Sequence, residues 1–87
     1  MQQRTIIYTE DTGRNVIEQT LCQYVDGYTL MEGTGVYKGV KEFSLLITII
    51  HDDKEIDNII KAAQEIKLFN EQEVMWIVTE NIEVLII

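Results

Sequence analysis

Eighty-seven residues, 46% of them hydrophobic and none of them proline, are read as a single domain near the lower limit for a self-sufficient core. A net charge of −8 argues against nucleic acid as the direct ligand, because a phosphate backbone needs a basic patch. One histidine and one cysteine make no metal cluster, no motif calls for a cofactor, and no stretch reads as a signal peptide or a membrane span.

Arg4 to Tyr8 alternates polar and apolar side chains and reads as a first strand, closed by the turn Glu10-Asp11-Thr12-Gly13. Asn15 followed by Glu18 matches a capping box. Val16, Ile17, Thr20, Leu21, Tyr24 and Val25 then share one face of the helix it opens, and Asp26-Gly27 ends that helix. The unpaired Cys22 on this helix allows no internal disulfide and suits a reducing cytoplasm. A second strand runs from Tyr28 toward Val40, bulged at Gly33-Thr34-Gly35. Lys41 to Ile50 is the third. Its parity puts Phe43, Leu45, Ile47 and Ile49 on one face as the floor for the helices, and Glu42, Ser44, Leu46, Thr48 and Ile50 on the other. That second face is too apolar for open water and too polar for a plain core, which suits a subunit interface.

His51-Asp52-Asp53 is read as a loop that becomes an N-cap, with Glu55 three residues after Asp52 and His51 in a cap-stabilising role. Ile56, Ile59, Ile60, Ala63 and Ile66 form the stripe of a second amphipathic helix, closed by Leu68-Phe69-Asn70. Val74 to Thr79 is a fourth strand, with Trp76 in the core or at an interface. Ile82 to Ile87 reads as a fifth strand that pairs between subunits. The order β-α-β-β-α-β with an extra C-terminal strand predicts an α+β, ferredoxin-like subunit with both helices on one face of an antiparallel sheet. So large an apolar load on so small a surface calls for burial against further copies, and three copies closing their open faces around an axis make a trimer.

The chemistry-bearing residues gather between Gly27 and Ile50. Gly33, Gly35 and Gly39 let the backbone turn tightly or approach a ligand closely. Glu42 is a general base or ligand acceptor, or else the ion-pair partner of Lys38, Lys41 or Arg4. Tyr37 offers its ring to a base, or shields an interface edge. Lys38 and Lys41 can meet a small phosphate or carboxylate, or remain solvated. Ser44 shares a face with Glu42 and is a ligand contact. With no His–acid pair near it in sequence, it does not read as a nucleophile. GTGVYKG lacks the spacing of a P-loop and does not lead into a helix.

The segment DGYTLMEGTGVYKGVKEFSLLITI, followed by an acidic cap, an amphipathic helix and QEVMWIVTE, resembles small phage-type proteins with a G-x-G-x-(Tyr/Trp)-x-G-x-x-Glu loop after the second strand. Those resemble the trimeric PII-like superfamily, whose ligands lie in clefts between subunits. The more specific resemblance is to the phage S-adenosylmethionine-degrading lyases, which spare phage DNA from methylation-dependent restriction. It implies a cytoplasmic protein of an infected bacterial host that binds an adenosine-containing molecule, with Glu42 as the acidic active-site residue. Gly35 to Gly39 would wall the adenosine, and Tyr37, Lys38, Lys41 and Ser44 would be contacts. Met31, opposite that wall, departs from the pattern by leaving no hydroxyl where a catalytic tyrosine would help. A second expectation is therefore a non-catalytic sponge for nucleotide second messengers. A third is an interaction module with no ligand.

Overall fold

A computed structural model describes Met1–Ile87. Its elements are β1 (Gln2–Glu10), α1 (Arg14–Tyr24), β2 (Thr29–Tyr37), β3 (Val40–Asp52), a single 3-10 turn (Asp53–Glu55), α2 (Ile56–Phe69) and β4 (Trp76–Asn81). The strands lie in the order β2-β3-β1-β4, and every neighbouring pair is antiparallel. Each helix therefore connects two parallel strands with a third lying between them, which is the ferredoxin-like α+β topology.

Period decides what is buried. Ile17 and Leu21 of α1, and Ile59, Ala63 and Ile66 of α2, meet Ile7 of β1 and Leu45, Ile47 and Ile49 of β3 in one fully buried cluster. Both helices thus cover the same sheet face, and each buried isoleucine or leucine contributes about 1.5–3 kcal/mol. Ala62, next to Ala63, is buried as well. Phe43 has the parity of this floor but is 83% exposed, because the β2–β3 hairpin projects beyond the reach of the helices.

Four local expectations are corrected. The β2–β3 register runs unbroken from Thr29↔Thr48 to Tyr37↔Val40, so there is no bulge at Gly33-Thr34-Gly35. The α1 capping box does not form: Gly13 is the N-cap, Asn15 already lies inside the helix, and the Glu18 carboxylate instead accepts from the Tyr28 hydroxyl at 2.9 Å. His51 is a buried strand residue rather than a cap. Its Nδ1 donates to the Asp52 carbonyl at 2.7 Å, and its Nε2 meets the Thr5 hydroxyl at 2.7 Å. Thr5 in turn shares a hydrogen bond with the Thr79 hydroxyl at 2.8 Å, and this relay ties β3, β1 and β4 together.

The fourth correction concerns the C-terminus. β4 begins at Trp76 rather than Val74 and reaches Gln3↔Asn81 in its register with β1. One further bond follows, from the Ile82 amide to the Gln2 carbonyl at 3.1 Å. Beyond that bond Ile82–Ile87 forms no strand within the chain; the pairing expected of it is with another subunit. Leu85 and Ile86 are 84% and 90% exposed. No helix is long and apolar enough to cross a membrane.

Candidate functional site

Cross-strand partners in an antiparallel sheet point to the same side, so the register arranges the helix-free face in rows. One row, Met31–Leu46–Tyr8–Trp76, crosses all four strands. The next toward the hairpin is Gly33–Ser44–Glu10, followed by Gly35–Glu42. The row with Tyr8 and Trp76 thus lies beside two shorter rows, each pairing small residues with one carboxylate, Glu10 or Glu42. Over these short rows lies a groove of about 640 Å³, lined by Ser44, Gly35 and Glu10 with Tyr8, Tyr37, Glu42 and Trp76 around them.

The remaining wall is the α2–β4 connector, which brings Glu71, Gln72, Glu73 and Val74 to the groove. Its path is fixed by polar contacts. The amide of Asn70, the C-cap of α2, donates to Thr9 Oγ1, the Glu10 carbonyl and Gln72 Oε1, each at 3.0 Å. Gln72 Oε1 also accepts from the Thr9 hydroxyl. Glu71 takes a left-handed backbone, φ 55°, to make the corner. The connector is thereby clamped to the end of β1, which is also the end that carries Glu10.

Four of the residues singled out from sequence line this groove: Gly35, Tyr37, Glu42 and Ser44. At Gly35 the requirement is space, since a Cβ there would overlap Ser44 Oγ and press on the Glu42 side chain. Three others do not line it. Gly39 belongs to the two-residue hairpin turn, where Lys38 and Gly39 both have positive φ, 50° and 77°. Lys38 folds back on that turn, with Nζ 5.4 Å from the centroid of the Tyr37 ring. Lys41 has the parity of Leu45 and points to the opposite side of β3 from Glu42. Met31 stands one row away, beyond Gly33.

Tyr8, Trp76 and the connector residues Glu71 to Val74 were not singled out in the sequence as site residues, and neither was Glu10. Reading β1 as ending at Tyr8 put Glu10 in a turn. Two more strand residues place it on the face of Tyr8, opposite Ser44 and diagonal to Glu42. Burial, first, and then the nearby Glu42 carboxylate push the Glu10 carboxyl above the ordinary carboxylate range. No lysine or arginine lines the groove, while Glu10, Glu42, Glu71 and Glu73 do. The nearest arginines are engaged elsewhere, Arg14 with Asp11 and Glu32 and Arg4 with Glu80. No three His, Cys, Asp or Glu side chains are gathered closely enough to hold a metal ion.

The fold is that of the PII-like proteins. A DUF3240 family protein from Shewanella baltica superposes with a TM-score of 0.75 at 13% identity, over 93% of this chain and 89% of that one. CPII, a nitrogen regulatory PII-like protein from Thiomonas intermedia bound to ADP, AMP and bicarbonate, gives 0.74 at 16% identity, over 95% and 91%. Arabidopsis thaliana PII bound to citrate gives 0.76 at 11% identity, over 93% and 77%. No protein-family model matches the chain, and no curated protein matches it in sequence. Identities this low establish the architecture alone.

Proposed function

We propose that the groove binds a small adenosine-containing molecule with positive charge at its polar end, most concretely S-adenosylmethionine. In this reading the protein is a phage-type lyase that degrades S-adenosylmethionine to methylthioadenosine and so counters methylation-dependent restriction. The observation that carries the reading is the composition of the groove. Its walls hold the rings of Tyr8, Tyr37 and Trp76, and its charged side chains are all carboxylates. Aromatic rings suit a purine, and carboxylates attract a sulfonium while repelling phosphate.

Glu42 would act on the polar end of the ligand. The C–S bond breaks with its electron pair going to sulfur, which turns the sulfonium into a neutral thioether. The amino-acid fragment is left short of an electron pair. It closes through its own carboxylate, or loses a neighbouring proton to Glu42 as general base. The site would be completed by a second subunit, because the groove opens on the helix-free sheet face.

The test incubates the protein with S-adenosylmethionine and follows methylthioadenosine by chromatography, beside Glu42→Gln. Turnover in the parent, reduced by about 100-fold or more in the variant, is the expected result. A parent that forms no product is not a lyase. The sponge reading draws on the adenine nucleotides held by the Thiomonas protein, with the lysines away from the groove counting against it. Tight, reversible binding of a cyclic nucleotide without product would decide for the sponge.

A further inference from the structure

We propose that Ile82–Ile87 is a strand that pairs with a second copy of the chain, antiparallel along the outer edge of that copy's β2. The proposal is independent of the ligand reading. It rests on two unfinished features of one subunit: an apolar segment without a sheet, and a sheet edge without a neighbour.

The segment continues β4, and after the bond from the Ile82 amide to the Gln2 carbonyl its backbone makes no further hydrogen bond within the chain. Val84, Leu85, Ile86 and Ile87 are all exposed. Apolar side chains on both parities are the pattern of a strand covered on both faces. The chain cannot supply that cover itself. To lie along its own β2 the segment would first cross four strand spacings, about 19 Å, and six extended residues span only about 20 Å. To fold back along β4 it would need a turn, and IEVLII offers no glycine, proline, asparagine or aspartate for one.

The free edges are β2 and β4. On a partner's β4 the antiparallel register that uses the whole segment sets Glu83 opposite Glu80, a like-charge pair. The nine residues of β2 have no such conflict and none of the usual protection of an edge: no proline, no lysine, and no bulge in the register with β3. With Leu85 beside Thr34, the row continues to the exposed Phe43 and covers it. Val84 and Ile86 then fall beside Gly35 and Gly33, which carry no side chain to compete for the space. Glu83 falls beside Val36, in the row that ends on Lys41, a lysine with no ion pair in its own subunit. Running the segment parallel would set Glu83 beside Glu32 instead, which decides for antiparallel. Because β4 and β2 are opposite edges, the contact is head to tail, each copy giving its segment to the next, and such a link can close into a ring.

The experiment is disulfide cross-linking in Cys22→Ser, which removes the one native thiol. Leu85→Cys is combined in turn with Thr34→Cys, with Ile77→Cys on β4, and with Asn58→Cys on the exposed side of α2, beside Leu85→Cys alone. On oxidation the Thr34 combination is expected to give covalent oligomers at least about tenfold faster than the Asn58 combination or Leu85→Cys alone. No preference for Thr34 overturns the proposal, and preference for Ile77 overturns the choice of edge. Hydrogen exchange at micromolar concentration checks it without thiols. The outward amides of Thr29–Tyr37 should be protected in the parent and exchange at least about tenfold faster once Ile82–Ile87 is removed, with an unchanged circular dichroism spectrum. Equal exchange in a folded truncated chain overturns the pairing; if truncation unfolds the subunit, the cross-linking decides.

Discussion

Glu10 and Glu42 place like charges on adjacent strands, and the consequence for stability has a definite sign. The folded protein holds the Glu10 proton more tightly than the unfolded chain does. The contribution is therefore fully present below the ordinary carboxylate range and is lost as pH rises through the raised folded value. Glu10→Gln removes this loss. It should be more stable than the parent near pH 7 by roughly 0.2–1 kcal/mol, the scale of a cross-strand charge pair, and the advantage should vanish in acid. Urea midpoints measured across that range check it, and an advantage that grew toward low pH would contradict it. Gly35 makes a second prediction at this scale. Gly35→Ala should destabilise by about 1–3 kcal/mol through crowding of Ser44, and adding Ser44→Ala should recover most of that. The glycine, the tyrosine and Glu42 could be singled out from sequence because polar and small residues interrupt an apolar pattern there. Glu10 could not, because which residues it meets is set by a register spanning 34 positions of chain, from Glu10 to Ser44.

The β2–β3 hairpin shows how the same glycines mean different things at the scale of an element. Three glycines within seven residues read equally well as a bulge, a close approach to a ligand, or a turn. The structure assigns the turn to Lys38-Gly39 alone, with both residues at positive φ as a two-residue hairpin of the type I′ class requires. A lysine is strained there. Lys38→Asn should stabilise by a few tenths to about 1 kcal/mol, and Gly39→Ala should destabilise by about 1–2 kcal/mol, both readable as shifts in thermal midpoint. Neither should alter the groove, since neither residue lines it. Helices and strands were legible because burial on one face imposes a period that survives in the sequence: Ile17 and Leu21, Ile59 and Ile66, Leu45, Ile47 and Ile49 are all buried. Ends were less legible. Asn15 and Glu18 have capping spacing, but the helix starts one residue before Asn15 and Glu18 serves Tyr28 instead.

For the molecule as a whole, the decisive feature is the row Met31–Leu46–Tyr8–Trp76 on the face without helices. Met31 is 59% exposed and Trp76 69%. Ile50 and Val78 add to the same apolar surface, and Leu85 and Ile86 lie bare in the C-terminal segment. A small chain seldom leaves so much contiguous apolar surface in water, and a stable interface needs about 800 Å² per partner. We expect three copies to close these faces against one another, with the groove at the seam. Light scattering at micromolar concentration should give the mass of a trimer; a stable monomer would refute the assembly. Leu46 is the most informative position, because it sits at the centre of the row between Met31 and Tyr8 and faces away from the buried core. Leu46→Asp would place an unpaired carboxylate at the seam in each copy, at a penalty of several kcal/mol in the assembly and little in the isolated chain, where water reaches it. The variant should therefore run as a monomer with an unchanged circular dichroism spectrum. Trp76→Glu, at the more exposed end of the row, should do the same and guards against Leu46→Asp simply misfolding. A trimer that survives both substitutions would mean the copies meet through some other surface, and the groove would then have to complete itself within a single chain.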